Sequence, residues 1–173
     1  MLTFQTTRKA LLAGIGLFLI GAVVLAFVAA HSLRDHRASQ TPVWIVELKD
    51  EDPDVRRMAA VMLGEYATKT PEALDALIDA MEDDDYFVRA AVVFAIGRFG
   101  PQARDAVPLL LRALANGVGD VPACAAFALG RIGDKRPEVI TALTQASQVP
   151  DPHLSGRARE ALRELAAQRA SAE

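Results

Sequence analysis

Two acidic runs carry the residue types and spacing that could do chemistry: Glu82 to Asp85, four consecutive carboxylates, and the D-x-D-x-D set Asp50, Asp52 and Asp54. Grouped carboxylates can ligate a hard cation, or divide into a general acid and a general base when their pKa values are pushed apart. A calcium loop beginning at Asp50 requires glycine at its sixth position and glutamate at its twelfth, where this chain has Val55 and Val61. The three histidines are His31, His36 and His153, and none has a cysteine or carboxylate at metal-ligand spacing on a shared helical face. Cys124 is the sole thiol, so neither an internal disulfide nor a cysteine-based zinc site is available. No nucleophile elbow, phosphate loop or H-E-x-x-H run occurs. No catalytic, cofactor-binding or metal-ligating residue is assigned, and the chain is read as a non-enzyme.

The composition suits helices. Half of the 173 residues are hydrophobic, but only 6% are aromatic, with Ala and Leu dominating. All 22 acidic residues lie beyond residue 30, so that without Arg8 and Lys9 the balance is 17 basic against 22 acidic, about −5. Nucleic-acid binding relies on Lys and Arg neutralising phosphates, and this balance excludes it.

Residues 10–30 (ALLAGIGLFLIGAVVLAFVAA) contain no polar side chain. As a helix they would extend about 31 Å, enough to cross a hydrocarbon core of about 30 Å. Residues 1–9 form a short tail ending in Arg8 and Lys9, and residues 31–41 form a polar linker. The expectation is a single-pass anchor in a bacterial inner membrane with the remaining domain outside the cytoplasm. A cleaved signal peptide ending at Val28-Ala29-Ala30 stays open as the alternative, giving a secreted binding domain. Signal cores are shorter, about 7–15 residues, which favours the anchor.

Beyond residue 40 the chain repeats itself. Val55–Tyr66, Val88–Phe99, Val121–Ile132 and Leu154–Leu165 begin 33 residues apart without gaps. Leu63, Ile96, Leu129 and Leu162 share one column, and Gly64, Gly97 and Gly130 share another, which Arg163 breaks. A second segment precedes each block, with Trp44, Leu77, Leu110 and Leu143 in register. Val88, Val92, Ala95, Ile96 and Phe99 mark one face of a helix. The unit is a helix–turn–helix, and stacked units bury one another's apolar sides. The expected fold is all-α: an α-solenoid of four such pairs over residues 42–168, with repeats at about 40–68, 69–101, 102–134 and 135–168, and a tail at 169–173. The last copy presents a polar outer face (Arg157, Arg159, Glu160, Arg163, Glu164), as a terminal cap requires.

The pattern D-x-x-V-R-x-x-A-x-x-A-L-G resembles HEAT repeats, in particular the short HEAT-like repeats of phycobilisome lyase subunits, over about residues 40–168. The resemblance implies an interaction module. It also admits a bilin (phycocyanobilin) lyase-like subunit or chaperone, for which an apolar leader is unexpected and four repeats are few. It further implies a ladder between repeats joining Asp50 and Asp83 with Arg56 and Arg89. That ladder should fail beyond the third copy, which has Asn116 and Pro122 at the matching places.

This register gives the acidic runs a structural role. Asp52, Asp85 and Asp151 stand three residues before each opening Val or Leu, at the N-cap, where a carboxylate accepts from unpaired backbone N–H groups. Pro53 and Pro152 follow at the first helical position, and Asp120 is placed to cap the third copy.

One column points outward. Val61, Phe94 and Phe127, followed by Glu160, occupy a place on the second-helix side that is polar in related repeats. Met58, Ala91 and Cys124 lie one turn earlier, and Glu65, Arg98 and Arg131 flank the stripe. An apolar patch with a charged rim marks a protein-binding surface; the competing expectation is that both phenylalanines pack between neighbouring second helices. Trp44 falls in the core register, while Val46 aligns with the exposed-type positions Asp79, Arg112 and Gln145. The reading is a membrane-anchored, non-enzymatic scaffold that binds a protein partner through its inner surface, with no metal and no nucleic acid.

Overall fold

The computed structural model describes residues 40–66 and 70–170. The apolar segment 10–30, its flanking basic residues, the linker to residue 39 and the end of the 169–173 tail lie outside the described residues. Among the described residues no helix is long and apolar enough to cross a membrane.

Among the described residues eight α-helices succeed one another: α1 (Thr41–Glu47), α2 (Pro53–Tyr66), α3 (Pro71–Asp79), α4 (Tyr86–Arg98), α5 (Val107–Asn116), α6 (Val121–Ile132), α7 (Pro137–Ala146) and α8 (Pro152–Ala170). Short 3-10 segments follow α3 (Ala80–Glu82) and precede α5 (Gly100–Ala106). Every helix except α4 has a proline in its first two positions, where the missing N–H is no loss and the ring presets φ. Gly133 closes α6 in the left-handed region (φ 77°), which lets its N–H return to the Leu129 carbonyl.

The helices pair as α1/α2, α3/α4, α5/α6 and α7/α8, and each second helix packs against the next: α2 on α4, α4 on α6, α6 on α8. The register columns fill the interior. Trp44, Leu77, Leu110 and Leu143 are buried in the first-helix layer, and Leu63, Ile96 and Leu129 in the second. Leu162 is only half-buried, and among the described residues no further helix pair packs on α8.

The glycine column is explained by the seams between repeats. A Cβ at Gly64 would stand 2.9 Å from the Ala95 Cα, one at Gly97 2.8 Å from the Ala128 Cα, and one at Gly130 2.7 Å from the Ala161 Cα. Each second helix therefore rests its backbone on an alanine of its successor, at a separation no side chain permits. The two ends of these columns differ. The alanine place of the first copy holds Met62, and the glycine place of the last holds Arg163; among the described residues no repeat lies opposite either.

Candidate partner-binding face and the seams that hold it

The outward side of the second helices carries the candidate stripe. Met58 is 53% exposed and Val61 44%. Phe94 and Phe127 are half-buried and stack on each other across the α4–α6 seam, with centroids 4.8 Å apart and planes 14° from parallel. Each ring thus packs on a neighbouring second helix, as the second expectation had it, and each keeps part of its surface open. The Arg157 guanidinium stands 5.5 Å from the Phe127 centroid and pairs with Glu160 at 3.1 Å, so the polar face of the last copy closes one end of the stripe. On the rim, Arg98 donates from Nη2 to Glu65 Oε2 at 3.0 Å across a full repeat, and Arg131 is exposed.

Phe87 escaped the sequence reading. It is 53% exposed, lies against Tyr86 with ring centroids 4.0 Å apart and planes tilted by 32°, and shares the outward face of α4 with Ala91 and Phe94. Its column holds Asp54, Asp120 and His153 in the other copies, so the signal was one aromatic among polar helix starts. Val88, Val92, Val93 and Ile96 are buried on the opposite side. Helix α4 is therefore apolar on both sides, although its outward side is only partly covered. Helices with apolar residues all round normally belong in an interior.

Cys124 lies in the stripe. Burial first, then the Asp120 charge, push its thiol up to about 11, against a smaller opposing pull from Arg157. It is a protonated thiol at neutral pH, and a thiol in that state is a poor nucleophile. Val46, on α1, is 72% exposed with Val43 beside it on the outer surface, while Trp44 is buried and packs 5.8 Å from Tyr66. Among the described residues no group of three His, Cys, Asp or Glu side chains is placed to hold a metal ion.

In the acidic runs Asp50, Asp52, Asp83 and Asp85 accept backbone N–H groups, while Asp54 pairs with Arg57 and Glu82 with Arg112. Asp85 Oδ1 accepts from the N–H groups of Phe87 and Val88 at 2.8 and 3.1 Å, and Asp151 Oδ1 from those of His153 and Leu154 at 2.8 and 3.3 Å. Asp52 Oδ1 accepts from Asp54 N at 2.9 Å. Two residues upstream the motif recurs: Asp50 takes the Asp52 N–H and Asp83 the Asp85 N–H, each at 2.9 Å. Asp120 departs from the expectation. It holds the N-cap place of α6, but its backbone is helical (φ −83°, ψ −6°) instead of extended, and its side chain makes no cap bond. Asp134, overlooked in the sequence, is buried in the turn before α7 and accepts from the Arg136 N–H and Nε at 3.0 and 2.9 Å.

The ladder has one rung. Arg56 donates from Nε and Nη2 to Asp83 Oδ2 and Oδ1 at 2.7 and 2.9 Å, and from Nη1 to the carbonyls of Asp50 and Glu51. Burial alone would raise the Asp83 pKa; the Arg56 fork, the Asp85 N–H and the charges of Arg56 and Arg89 outweigh it and hold the carboxyl below its ordinary value. Arg56 is correspondingly raised, chiefly by its hydrogen bond to Asp83. The side chain of Asp50 takes no part, because the chain has no described arginine in a preceding repeat to meet it. Arg89 repeats the backbone half of the arrangement, donating from Nη1 to the carbonyls of Asp83 and Asp84. Its expected carboxylate link is absent, since the next copy presents Asn116 where Asp83 stood.

Residues 41–123 match the family of HEAT repeats, and residues 125–148 match the PBS lyase HEAT-like repeat. No curated protein matches the chain. With every described helix paired to its neighbour along the chain and each pair stacked on the next, the described residues form an α-solenoid that matches HEAT-type repeats over residues 41–123 and 125–148.

Proposed function

We propose that this protein is a non-enzymatic interaction scaffold, held at a membrane by residues 10–30, whose second-helix face receives a segment of a protein partner. HEAT repeats support a scaffolding role in general. The observation that carries the specific reading is α4, whose partly covered outward side still presents an exposed Phe87 beside the half-buried Ala91 and Phe94. Met58 and Val61 continue that surface on α2, and Cys124 and Phe127 on α6; Glu65, Arg98 and Arg131 form its rim. Apolar patches so framed bury against partners because removing them from water contributes roughly 25 cal/mol per Å². A protonated Cys124 and carboxylates engaged as caps fit recognition better than reaction.

The test is crosslinking and capture from native membranes with wild type and with Phe87→Ser/Phe94→Ser/Phe127→Ser. The expected result is a specific crosslinked protein retained by wild type and lost with the triple variant; equal capture by both would remove the face from the function. Intact mass of the expressed chain tests the anchor, since a cleaved leader would shorten it by about thirty residues. The match of residues 125–148 to a lyase-type repeat keeps a bilin-binding reading in view. A red-shifted bilin absorbance on addition of the protein would favour it over the scaffold.

A further inference from the structure

The solenoid contains the same inter-repeat cleft twice, and the two copies differ in a telling way. Leu48, Ala76, Ala80 and Asp83 line the cleft between the first and second repeats. Met81, Leu109, Ala113 and Asn116, each 33 positions further on, line the one between the second and third. The first cleft encloses about 240 Å³ and the second about 490 Å³. In the first, the Asp83 carboxylate fills the fork of Arg56 through two side-chain bonds, and Arg56 does not reach the cleft wall. In the second, Arg89 itself lines the cavity. Its Nη1 is anchored on the Asp83 and Asp84 carbonyls, while Nε and Nη2, the two donors that Arg56 spends on a carboxylate, have no acceptor among the described residues. Glu82, on the rim, is paired with Arg112 at 2.5 Å, so it does not supply the missing group.

We propose that the cleft between the second and third repeats is a carboxylate-binding site, in which an external carboxylate takes the place on Arg89 that Asp83 takes on Arg56. Planar two-point pairing with a guanidinium favours a carboxylate in particular, and the neighbouring seam shows the pair that this backbone geometry forms. The anchored Nη1 fixes the plane of Arg89 in advance, which lowers the ordering cost of binding. The carboxylate can come from an acidic side chain of a partner or from a chain terminus; the chemistry is shared. The site does not depend on the apolar face, and either can stand without the other.

The test uses the full chain in detergent micelles at constant ionic strength, following arginine Nε–H signals by NMR. Acetyl-Glu-amide offers a side-chain carboxylate, acetyl-alanine a terminal one, and inorganic phosphate and chloride serve as comparison anions. The expected result is a saturable shift of the Arg89 signal with one or both carboxylates, at lower concentration than with phosphate. The Arg56 signal, its fork already filled, stays in place. Which of the two carboxylate probes binds more tightly identifies the source. Asn116→Asp supplies an internal rung and should weaken carboxylate binding at least tenfold. Absence of a saturable Arg89 shift, equal shifts at Arg56 and Arg98, tighter binding of phosphate, or undiminished binding in Asn116→Asp would each overturn the proposal. The wild-type titration is decisive even without the variant, because Arg56 is the internal control.

Discussion

The seam between the first and second repeats and the seam between the second and third are built from the same backbone contact but finished differently. Both rest glycine on alanine, at 2.9 Å for Gly64 and 2.8 Å for Gly97. The first adds the Arg56–Asp83 fork at its inner end and the Arg98–Glu65 pair at its rim. The second has no rung and adds the Phe94–Phe127 stack. What the seams share is steric and apolar; what varies is polar or aromatic. Close backbone packing holds the array, while the decoration of each seam is free to take on other work. At the second seam it leaves two phenylalanine edges and an unfilled arginine toward solvent.

The largest effect should come from the shared contact. Gly97→Leu drives a side chain into the Ala128 backbone and should destabilise by about 3 kcal/mol or more, read from denaturant midpoints. Gly156→Ala makes the contrast, because a Cβ there meets nothing within 4 Å. As glycine inside an exposed helix it should gain roughly 0.5–1 kcal/mol on replacement. Equal and small effects at both positions would mean the seams are looser than described.

Next in size is the rung. Asp83→Ala removes both the fork partner of Arg56 and the acceptor of the Asp85 N–H, and should cost about 2 kcal/mol. The charge makes this loss depend on pH. Asp83 titrates below 3.8 in the folded chain, so its contribution is complete above the unfolded value of 3.8 and drains away as pH falls through the lowered folded one. Asp83→Asn should therefore lie furthest below wild type near neutrality and converge on it in acid. Parallel pH profiles would place the charge dependence elsewhere.

Smaller again is the stack. Phe94→Ser with Phe127→Ser should lower stability by about 1–2 kcal/mol while abolishing partner capture; a far greater loss would assign both rings to the core. Phe87→Ser should change stability by less than about 0.5 kcal/mol yet still weaken capture, as its ring touches only Tyr86 among aromatic neighbours.

How much was legible in the sequence follows from which forces act locally. Leu77, Leu110 and Leu143 could be placed because burial of one helix side imposes a period on the chain that made it. Asp85 and Asp151 could be placed because a cap bonds residues two and three positions away. Asp120 stood at the same kind of boundary, but its carboxylate is turned by backbone angles that Gly119 and Pro122 influence and no residue type declares. The glycine column was visible, yet its reason was not: the obstacle to a Cβ at Gly64 is Ala95, thirty-one positions away on another helix. Phe87 was hidden because a helix start is ordinarily polar and its exposure depends on what fails to pack on it. The stripe of Val61, Phe94 and Phe127 was traceable by column, whereas the stacking that joins two of them depends on the seam.

Met62 and Arg163 give the column of close contacts a polarity along the rod. An internal copy such as 69–101 could be duplicated in place, because its alanine and its glycine would each find the mate they require. Appended after α8, the same copy would find a guanidinium stem in the way, and placed before α1 its glycine would meet the thioether of Met62 on α2. Growth of this array is thus permitted from the middle and barred at its margins, a rule written in two side chains.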